Sequence, residues 1–183
     1  PAGIIGTFQV VVDVDRGDQL VERDDANSFA DLETIEVTPP PRPNLQVRSI
    51  EAPDNVQAGD SYAVRFDVIN QSSVATGDGR WIDRVYLSQD ALVSFDDIRL
   101  GETFNQRSLE SMGEYRSDPI DFTIPVDLRG TWYLIAVADA DDRVSEFPNE
   151  GDNAFAHPIE ITPIPPADLV TSDVIAPDQA FAG

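Results

Sequence analysis

The chain has 183 residues, of which 34 are acidic and 12 basic, and its formal net charge is −22. This charge excludes non-specific binding to nucleic acid and to anionic lipid, because both require a cationic surface. The absence of cysteine excludes disulfides, thiol nucleophiles and zinc fingers, and no apolar run is long enough to predict a membrane span.

Apolar and polar residues alternate along a series of short segments, which is the pattern of half-buried antiparallel strands. In chain order these segments are LQVRSIEAP from Leu45, SYAVRFDVIN from Ser61, WIDRVYLS from Trp81, DPIDFTIP from Asp118, TWYLIAVA from Thr131 and AFAHPIEIT from Ala154. Asp83 is the one charged residue on the apolar face of its segment. No stretch keeps a helical stripe. About seven strands in roughly 120 residues predict two packed antiparallel sheets.

An internal repeat organises the chain at a spacing of 124 residues. The segment GTFQVVVDVDRGDQLVE from Gly6 matches GTWYLIAVADADDRVSE from Gly130. The likeness resumes where IEVTPPP from Ile35 matches IEITPIP from Ile159, and it ends where APDNVQAG from Ala52 matches APDQAFAG from Ala176. Such ordered self-similarity predicts a tandem array of one structural unit.

The repeat predicts five segments. Residues 1–38 are the C-terminal part of a preceding unit, 44–162 are a complete unit, and 167–183 are the first strand of a following unit. Residues 39–43 and 163–166 are proline-rich linkers, and we expect them to be stiff because proline fixes φ. The cut units lead us to expect that the native polypeptide is longer and secreted, and that the apolar residues Phe8, Val10, Val12, Phe29 and Ile35 are partly exposed when the first piece stands alone.

Several motifs of the complete unit resemble the CARDB domain, a bacterial cell-adhesion-related module. They are WIDRVYLSQD from Trp81, DDIRLG from Asp96, GTWY from Gly130, and the series Asp139, Val144, Glu146 and Asn153; the last signature recurs at Asp15, Leu20, Glu22 and Asn27. The likeness covers the whole unit. It implies an immunoglobulin-like antiparallel β-sandwich, usually found in tandem within large secreted or surface proteins.

Acidic residues cluster in predicted loops, where closely spaced oxygens are the ligands that calcium takes. The last predicted hairpin loop offers Asp139, Asp141, Asp142, Glu146, Asn149, Asp152 and Asn153, its partial copy offers Asp15, Asp18, Glu22, Asp25 and Asn27, and a separate loop offers Asp90, Asp96 and Asp97. The spacing is not that of an EF-hand. Turn formation through local backbone hydrogen bonds is the alternative role for these residues.

No catalytic residue is indicated. The single histidine, His157, lies in a predicted strand directly before Pro158, where we expect it to face solvent. Asp96 and Asp97 are adjacent in sequence and so point apart, unlike the paired carboxylates of a glycosidase. Trp81 and Trp132 alternate inward, which favours the core over a sugar-binding platform.

These observations favour a non-catalytic structural or adhesion repeat in a stalk, fibre or adhesin shaft of a large extracellular or cell-surface protein, with calcium as the candidate cofactor. Its expected partners are neighbouring repeats of the same polypeptide, and other copies if partial units complement one another in a filament. The sequence does not distinguish between a surface protein and a glycan as the ligand. The alternatives are an accessory or carbohydrate-binding module of a secreted hydrolase, and a halophilic cytoplasmic protein with the same acidic composition.

Overall fold

The computed structural model describes residues 4–14, 19–21, 23, 28–77, 79–173, 175 and 178–179. The chain divides into two compact units, Pro1–Pro41 and Arg42–Gly183. Every regular element assigned within the described residues is a β-strand. No helix in that part of the chain has the length and apolar character that crossing a membrane would require.

The first unit is a two-stranded antiparallel hairpin. Strand β1 spans Gly6–Asp13 and strand β2 spans Ser28–Val37. Gly6 lies opposite Val37 and Phe8 opposite Ile35, and the register shifts between Gln9 and Val11.

The second unit contains two sheets. Its strands are β3 (Leu45–Glu51), β4 (Asn55–Gln57), β5 (Ser61–Asn70), β6 (Trp81–Ser88), β7 (Ile98–Asn105), β8 (Glu114–Arg116), β9 (Ile120–Thr123), β10 (Gly130–Val137) and β11 (Ala154–Thr162). One sheet has the order β4-β11-β10-β6-β7, and the other has the order β3-β5-β8 with β9 also paired to β5. All of these pairs are antiparallel except β4 with β11, which is parallel.

The core of the second unit lies between the two sheets, and every second side chain along the long strands contributes to it. Along β6 the side chains of Trp81, Asp83, Val85 and Leu87 are fully buried, and those of Ile82, Arg84 and Tyr86 between them are half-buried. Val64, Phe66 and Val68 of β5 do the same from the opposite sheet. Each strand therefore buries one face, as the alternation of its sequence predicts.

The predicted sandwich is confirmed, and seven strands of the second unit have four or more residues. The two others, β4 and β8, have three residues each and are too short to show any alternation. Strand β7 is also not predictable from alternation, because Gly101 interrupts its sequence of apolar and polar residues. A Cβ on Gly101 would lie 2.5 Å from Cγ2 of Ile120, so the missing side chain lets β9 approach β7.

The two hairpins at the ends of the repeat have the same register. Gly6 faces Val37 in the first, and Gly130 faces Ile161 in the second, which are the same positions 124 residues later. Both glycines have positive φ, 128° and 81°, a conformation that only glycine adopts readily. The stretch from Phe29 to Ile35 has two more residues than its counterpart from Phe155 to Ile159. These additional residues coincide with the register shift of the first hairpin, which is a bulge.

Candidate functional site: the acidic loop between β10 and β11

The loop between β10 and β11 begins with Asp139, which is buried and has a positive φ of 47°. Aspartate tolerates this left-handed conformation better than most residues. Its carboxylate accepts the backbone N–H of Arg143 at 2.9 Å and that of Val144 at 2.6 Å. Asp139 therefore closes the turn by satisfying backbone donors that its own shape would leave unpaired.

The carboxylate of Asp83, on β6, is hydrogen-bonded to the start of this loop. Its Oδ1 accepts the N–H of Asp139 at 3.0 Å, and its Oδ2 accepts the hydroxyl of Tyr115 at 2.5 Å. The Tyr115 hydroxyl in turn accepts the indole N–H of Trp81 at 3.2 Å. The one charged residue on the inward face of β6 thus has three neighbours from β6, β8 and the loop, and no cation among them.

Glu146 ties the same loop to the start of the unit. It is 1% exposed, and its Oε2 accepts the N–H of Leu45, the first residue of β3, at 2.6 Å. Its Oε1 accepts the side-chain amide of Asn153 at 3.3 Å. The amide oxygen of Asn153 is buried and accepts no hydrogen bond from the described residues.

Burial raises the pKa of all three carboxyl groups. The pKa of Asp83 rises to about 6, chiefly through burial and against the hydrogen bond from Tyr115. Burial also raises the pKa of Asp139, and it raises the pKa of Glu146 to about 7. The nearby charge of Glu150 adds to the increase at both Asp139 and Glu146. The loop is therefore a strongly negative region in which further negative charge is unfavourable.

The remaining predicted ligands of this loop have other contacts. Asp141 pairs with Arg84 at 2.7 Å, and Asp152 accepts hydrogen bonds from the side-chain amides of Asn44 and Gln46. Asn149 shapes the backbone, since its N–H donates to the carbonyl of Glu146 at 3.0 Å. These residues share one loop, but their side chains do not converge on one point.

The second predicted cluster is a separate loop between β6 and β7. Asp90 accepts the N–H of Leu92 at 2.8 Å, and Asp97 accepts that of Ser94 at 2.7 Å. Asp96 accepts the hydroxyl of Ser94 at 2.7 Å. Asp90 and Asp97 therefore make the local backbone hydrogen bonds that were the alternative to metal binding, and Asp96 makes a local bond to a side chain.

The partial copy of the acidic cluster, at Asp15, Asp18, Glu22, Asp25 and Asn27, lies outside the described residues. Within the described part of the chain, no three His, Cys, Asp or Glu side chains are placed to hold a metal ion together. The calcium sites named from the sequence stay predictions.

The residues considered for catalysis and sugar binding have structural contacts. Trp81 is 1% exposed, and Trp132 packs partly buried against the core, as the alternation predicts. The expectation that His157 faces solvent is only partly met. Its side chain is 23% exposed, and its Nε2 lies 3.1 Å from the carboxylate of Asp54. The imidazole thus lies beside the segment before β4, but Nε2 has no hydrogen-bond partner among the described residues.

Sequence reasoning found the acidic loop but missed the residues that hold it. Tyr115 and the N–H of Leu45 gave no signal, because they lie 32 and 101 positions from their partners. The available signal was Asp83 itself, a charge on an otherwise apolar face.

A sequence profile of the CARDB family matches residues 42–157, which is more than half of the chain. The chain belongs to the CARDB family. Its described fold agrees with a solved CARDB domain of a Pyrococcus furiosus protein, at 20% identity and a TM-score of 0.50, covering 67% of this chain and 96% of that one. That domain was solved in complex with di-metal ions.

Two other solved structures are similar at lower scores. A domain assigned to a cell-surface protein of Methanosarcina acetivorans is 19% identical with a TM-score of 0.45, over 66% of this chain and 93% of that domain. A β-glucosidase from Listeria innocua is 17% identical with a TM-score of 0.40, over 67% of this chain but 16% of the enzyme. No curated protein matches the chain.

The CARDB match confirms the resemblance inferred from the motifs. It identifies a non-catalytic domain family, and it gives no indication of an enzyme.

Proposed function

We propose that this chain is a segment of a tandem array of CARDB units that serves as a non-catalytic structural shaft in an extracellular or cell-surface protein. The observation that carries the proposal is the shared register of the hairpins β1–β2 and β10–β11, 124 residues apart. A sequence repeat that preserves strand register is what duplicated units of one fold produce.

Burial of equivalent positions supports the same proposal. In β10 and β11, Leu134, Ala136, Ile159 and Ile161 are at most 1% exposed. The equivalent positions of the first hairpin are Val10, Val12, Ile35 and Val37, which are 36–53% exposed. The two hairpins thus have equivalent apolar faces. The face of β10–β11 is covered by the other sheet of its unit, whereas that of β1–β2 is partly exposed. Under this proposal, the first hairpin is the last part of another CARDB sandwich.

Contacts at the two ends of the second unit favour a stiff link. At the amino-terminal end, Arg42 donates to the hydroxyl of Ser145 at 2.8 Å, and the N–H of Asn44 donates to Asn70 at 3.0 Å. At the carboxyl-terminal end, Ile164 lies over Gly59, where a Cβ would come within 3.1 Å of its Cδ1. The chain is therefore attached to the unit on both sides of the strands, and the prolines beyond further restrict bending.

The proposal is tested by exchanging hairpins within the full chain. Residues 130–162 are replaced by residues 6–38, which have the same length, and the matched control replaces 6–38 by 130–162. If the first hairpin is the end of a CARDB unit, the first variant melts cooperatively and keeps its near-ultraviolet circular dichroism. Loss of cooperative melting in that variant, with the control intact, contradicts the proposal.

The proposed partners are neighbouring units of the same polypeptide. Under this reading, denaturing electrophoresis of the protein from its native source shows a chain far longer than 183 residues. A chain near 20.0 kDa that forms fibres before denaturation would instead indicate partial units that complement one another between molecules.

We also propose that calcium binds the loop between β10 and β11. Its support is the repeated acidic pattern and the raised pKa of Asp139, to which burial contributes most and the charges of Asp142 and Glu150 add. The carboxylates of Asp139 and Glu146 already accept backbone and amide donors. Oε1 of Glu150 also accepts the N–H of Glu146, at 2.7 Å. The oxygens for an ion would therefore have to come from the exposed Asp142 and Asn149 and from the second carboxylate oxygen of Glu150.

Calcium binding predicts a higher melting temperature in millimolar calcium than in chelator at the same ionic strength. Binding to the folded state alone stabilises it by about 2.7 kcal/mol at a hundred times the dissociation constant. Sodium chloride of matched ionic strength is the control, because screening alone relieves repulsion among the acids. Coincident melting curves in calcium and in the matched salt would remove this proposal.

A further inference from the structure

The first and last parts of the second unit are joined by its only parallel strand pair among the described residues, β4 with β11. Asn55 lies beside Glu160, Val56 beside Ile161 and Gln57 beside Thr162. The pair is extended at both ends, since the N–H of Glu160 donates to the carbonyl of Asp54 at 2.8 Å and that of Ala58 donates to the carbonyl of Thr162 at 2.9 Å.

Side chains reinforce this pair. The hydroxyl of Thr162 donates to the carbonyl of Val56 at 3.1 Å, and the N–H of Gln57 donates to the hydroxyl of Tyr62 at 2.8 Å. Val56 and Ile161 are 3% and 1% exposed. The pair is therefore shielded from water on its inner face, where a hydrogen bond is harder to replace by one to solvent.

The direction of the two strands decides how tension acts on them. Tension from the amino-terminal side reaches β4 through β3, which pairs antiparallel with β5, and pulls β4 toward Asn55. Tension from the carboxyl-terminal side pulls β11 toward Thr162. Because the strands are parallel, these pulls are opposite and run along the strands. The hydrogen bonds lie across the strands, so all of them are loaded together and none can open first.

We propose that the β4–β11 pair is a mechanical clamp that makes the unit resist tension between its ends. This inference deepens the proposed shaft, on which it rests for its biological setting, by assigning the load-bearing element. The antiparallel hairpin β10–β11 offers the contrast. Gly130 and Ile161 are opposite each other at its open end, and pulling there separates one residue pair at a time.

The absence of cysteine allows the test in the full chain, because introduced cysteines are then the only attachment points. The end-to-end geometry uses Pro41→Cys with Pro163→Cys. The unzipping geometry uses Arg129→Cys with Pro163→Cys, and Arg129 and Pro163 are both exposed. Single-molecule force measurements are expected to give slower unfolding at the same force in the end-to-end geometry. Equal rates in the two geometries would overturn the clamp.

A matched pair of substitutions separates the clamp from general stability. Thr162→Val removes the hydroxyl bond across β4–β11, and Thr131→Val removes a hydroxyl bond of 3.0 Å to Glu160 across β10–β11. Both threonines are exposed. In the end-to-end geometry, Thr162→Val is expected to speed unfolding at a fixed force about fivefold, the factor for one hydrogen bond of about 1 kcal/mol, while Thr131→Val leaves the rate unchanged.

The outcomes of this test are distinct from those of the tandem array. The same acceleration by both substitutions would show that the clamp is no more than a part of general stability, and would refute it. The array would stand in that case, because the hairpin exchange tests it without force. Conversely, if the hairpin exchange abolishes cooperative melting, the tandem array is contradicted, and the force measurements on the second unit still decide the clamp.

Discussion

Replacing the buried carboxyl group of Glu146 by an amide should change the pH dependence of stability in a defined direction. The pKa of Glu146 is 4.5 in its ordinary state and rises to about 7 in the fold, mainly because the group is buried. The folded state therefore holds a proton more tightly than the unfolded chain. The contribution of this group to stability is fully present below pH 4.5 and is lost as the pH rises through the folded pKa.

The size of the effect follows from these two pKa values. Each pKa unit corresponds to about 1.4 kcal/mol, so keeping this carboxylate ionised in the fold costs about 3 kcal/mol. Glu146→Gln removes that cost while retaining an oxygen for the N–H of Leu45. The introduced amide replaces the oxygen that accepts from Nδ2 of Asn153, so the side chain of Asn153 has to turn over for its oxygen to accept from the glutamine. At pH 8 the variant should be more stable than the natural chain by up to about 3 kcal/mol, and at pH 4.5 the advantage should disappear.

Urea denaturation at pH 4.5, 6 and 8 in constant salt measures this difference. Glu160→Gln, at an exposed position of β11, is the control and should show no comparable pH dependence. Glu146→Ala should destabilise the fold at pH 4.5, because it leaves the buried N–H of Leu45 without an acceptor, at a cost of about 1–3 kcal/mol. At pH 8 this loss should shrink, because the substitution also removes the cost of keeping a buried carboxylate ionised. A stability difference between Glu146→Gln and the natural chain that does not vary with pH would refute the reasoning.

Three further outcomes are expected. Tyr115→Phe removes a donor to the buried carboxylate of Asp83, so it should raise the pKa of Asp83 above about 6. It should also lower the free energy of unfolding by about 2 kcal/mol in denaturant titrations at pH 8. An unchanged carboxyl titration by NMR would contradict this. Gly101→Ala should cost about 1–3 kcal/mol through overlap with Ile120, whereas Gly151→Ala, whose Cβ would meet nothing within 4 Å, should stay within about 0.5 kcal/mol. The purified chain should hydrolyse no ester, peptide or glycoside, and turnover that a point substitution abolishes would show otherwise.

The long strands were predictable because each of them alternates along its own sequence. β5 and β6 bury every second side chain, and this periodicity is visible without any knowledge of the partner strand. β4 was not predictable from its three residues, although it pairs with β11 more than a hundred positions away. Its formation depends on the sheet that receives it.

The candidate site was predictable in composition but not in chemistry. Acidic residues and turn residues marked the loop after β10, and the family resemblance named Asp139, Glu146 and Asn153. Their hydrogen bonds run to Asp83, to Leu45 and to backbone groups of the turn. A carboxylate that binds an ion and one that binds an amide look the same in sequence, and the distinction comes only from which donors the fold brings near.

The contact of Ile164 with Gly59 has a consequence for the path of the chain as it leaves β11. A Cβ at position 59 would lie 3.1 Å from Cδ1 of Ile164 and 3.5 Å from Cγ1 of Val126, and the positive φ of 86° at Gly59 disfavours other residues as well. A side chain at position 59 would therefore push the isoleucine away from the surface of the second unit. The residue 124 positions before Ile164 is Pro40, so the chain leaves the first hairpin with a different side chain at this position, and the close approach that Gly59 allows belongs to the second unit.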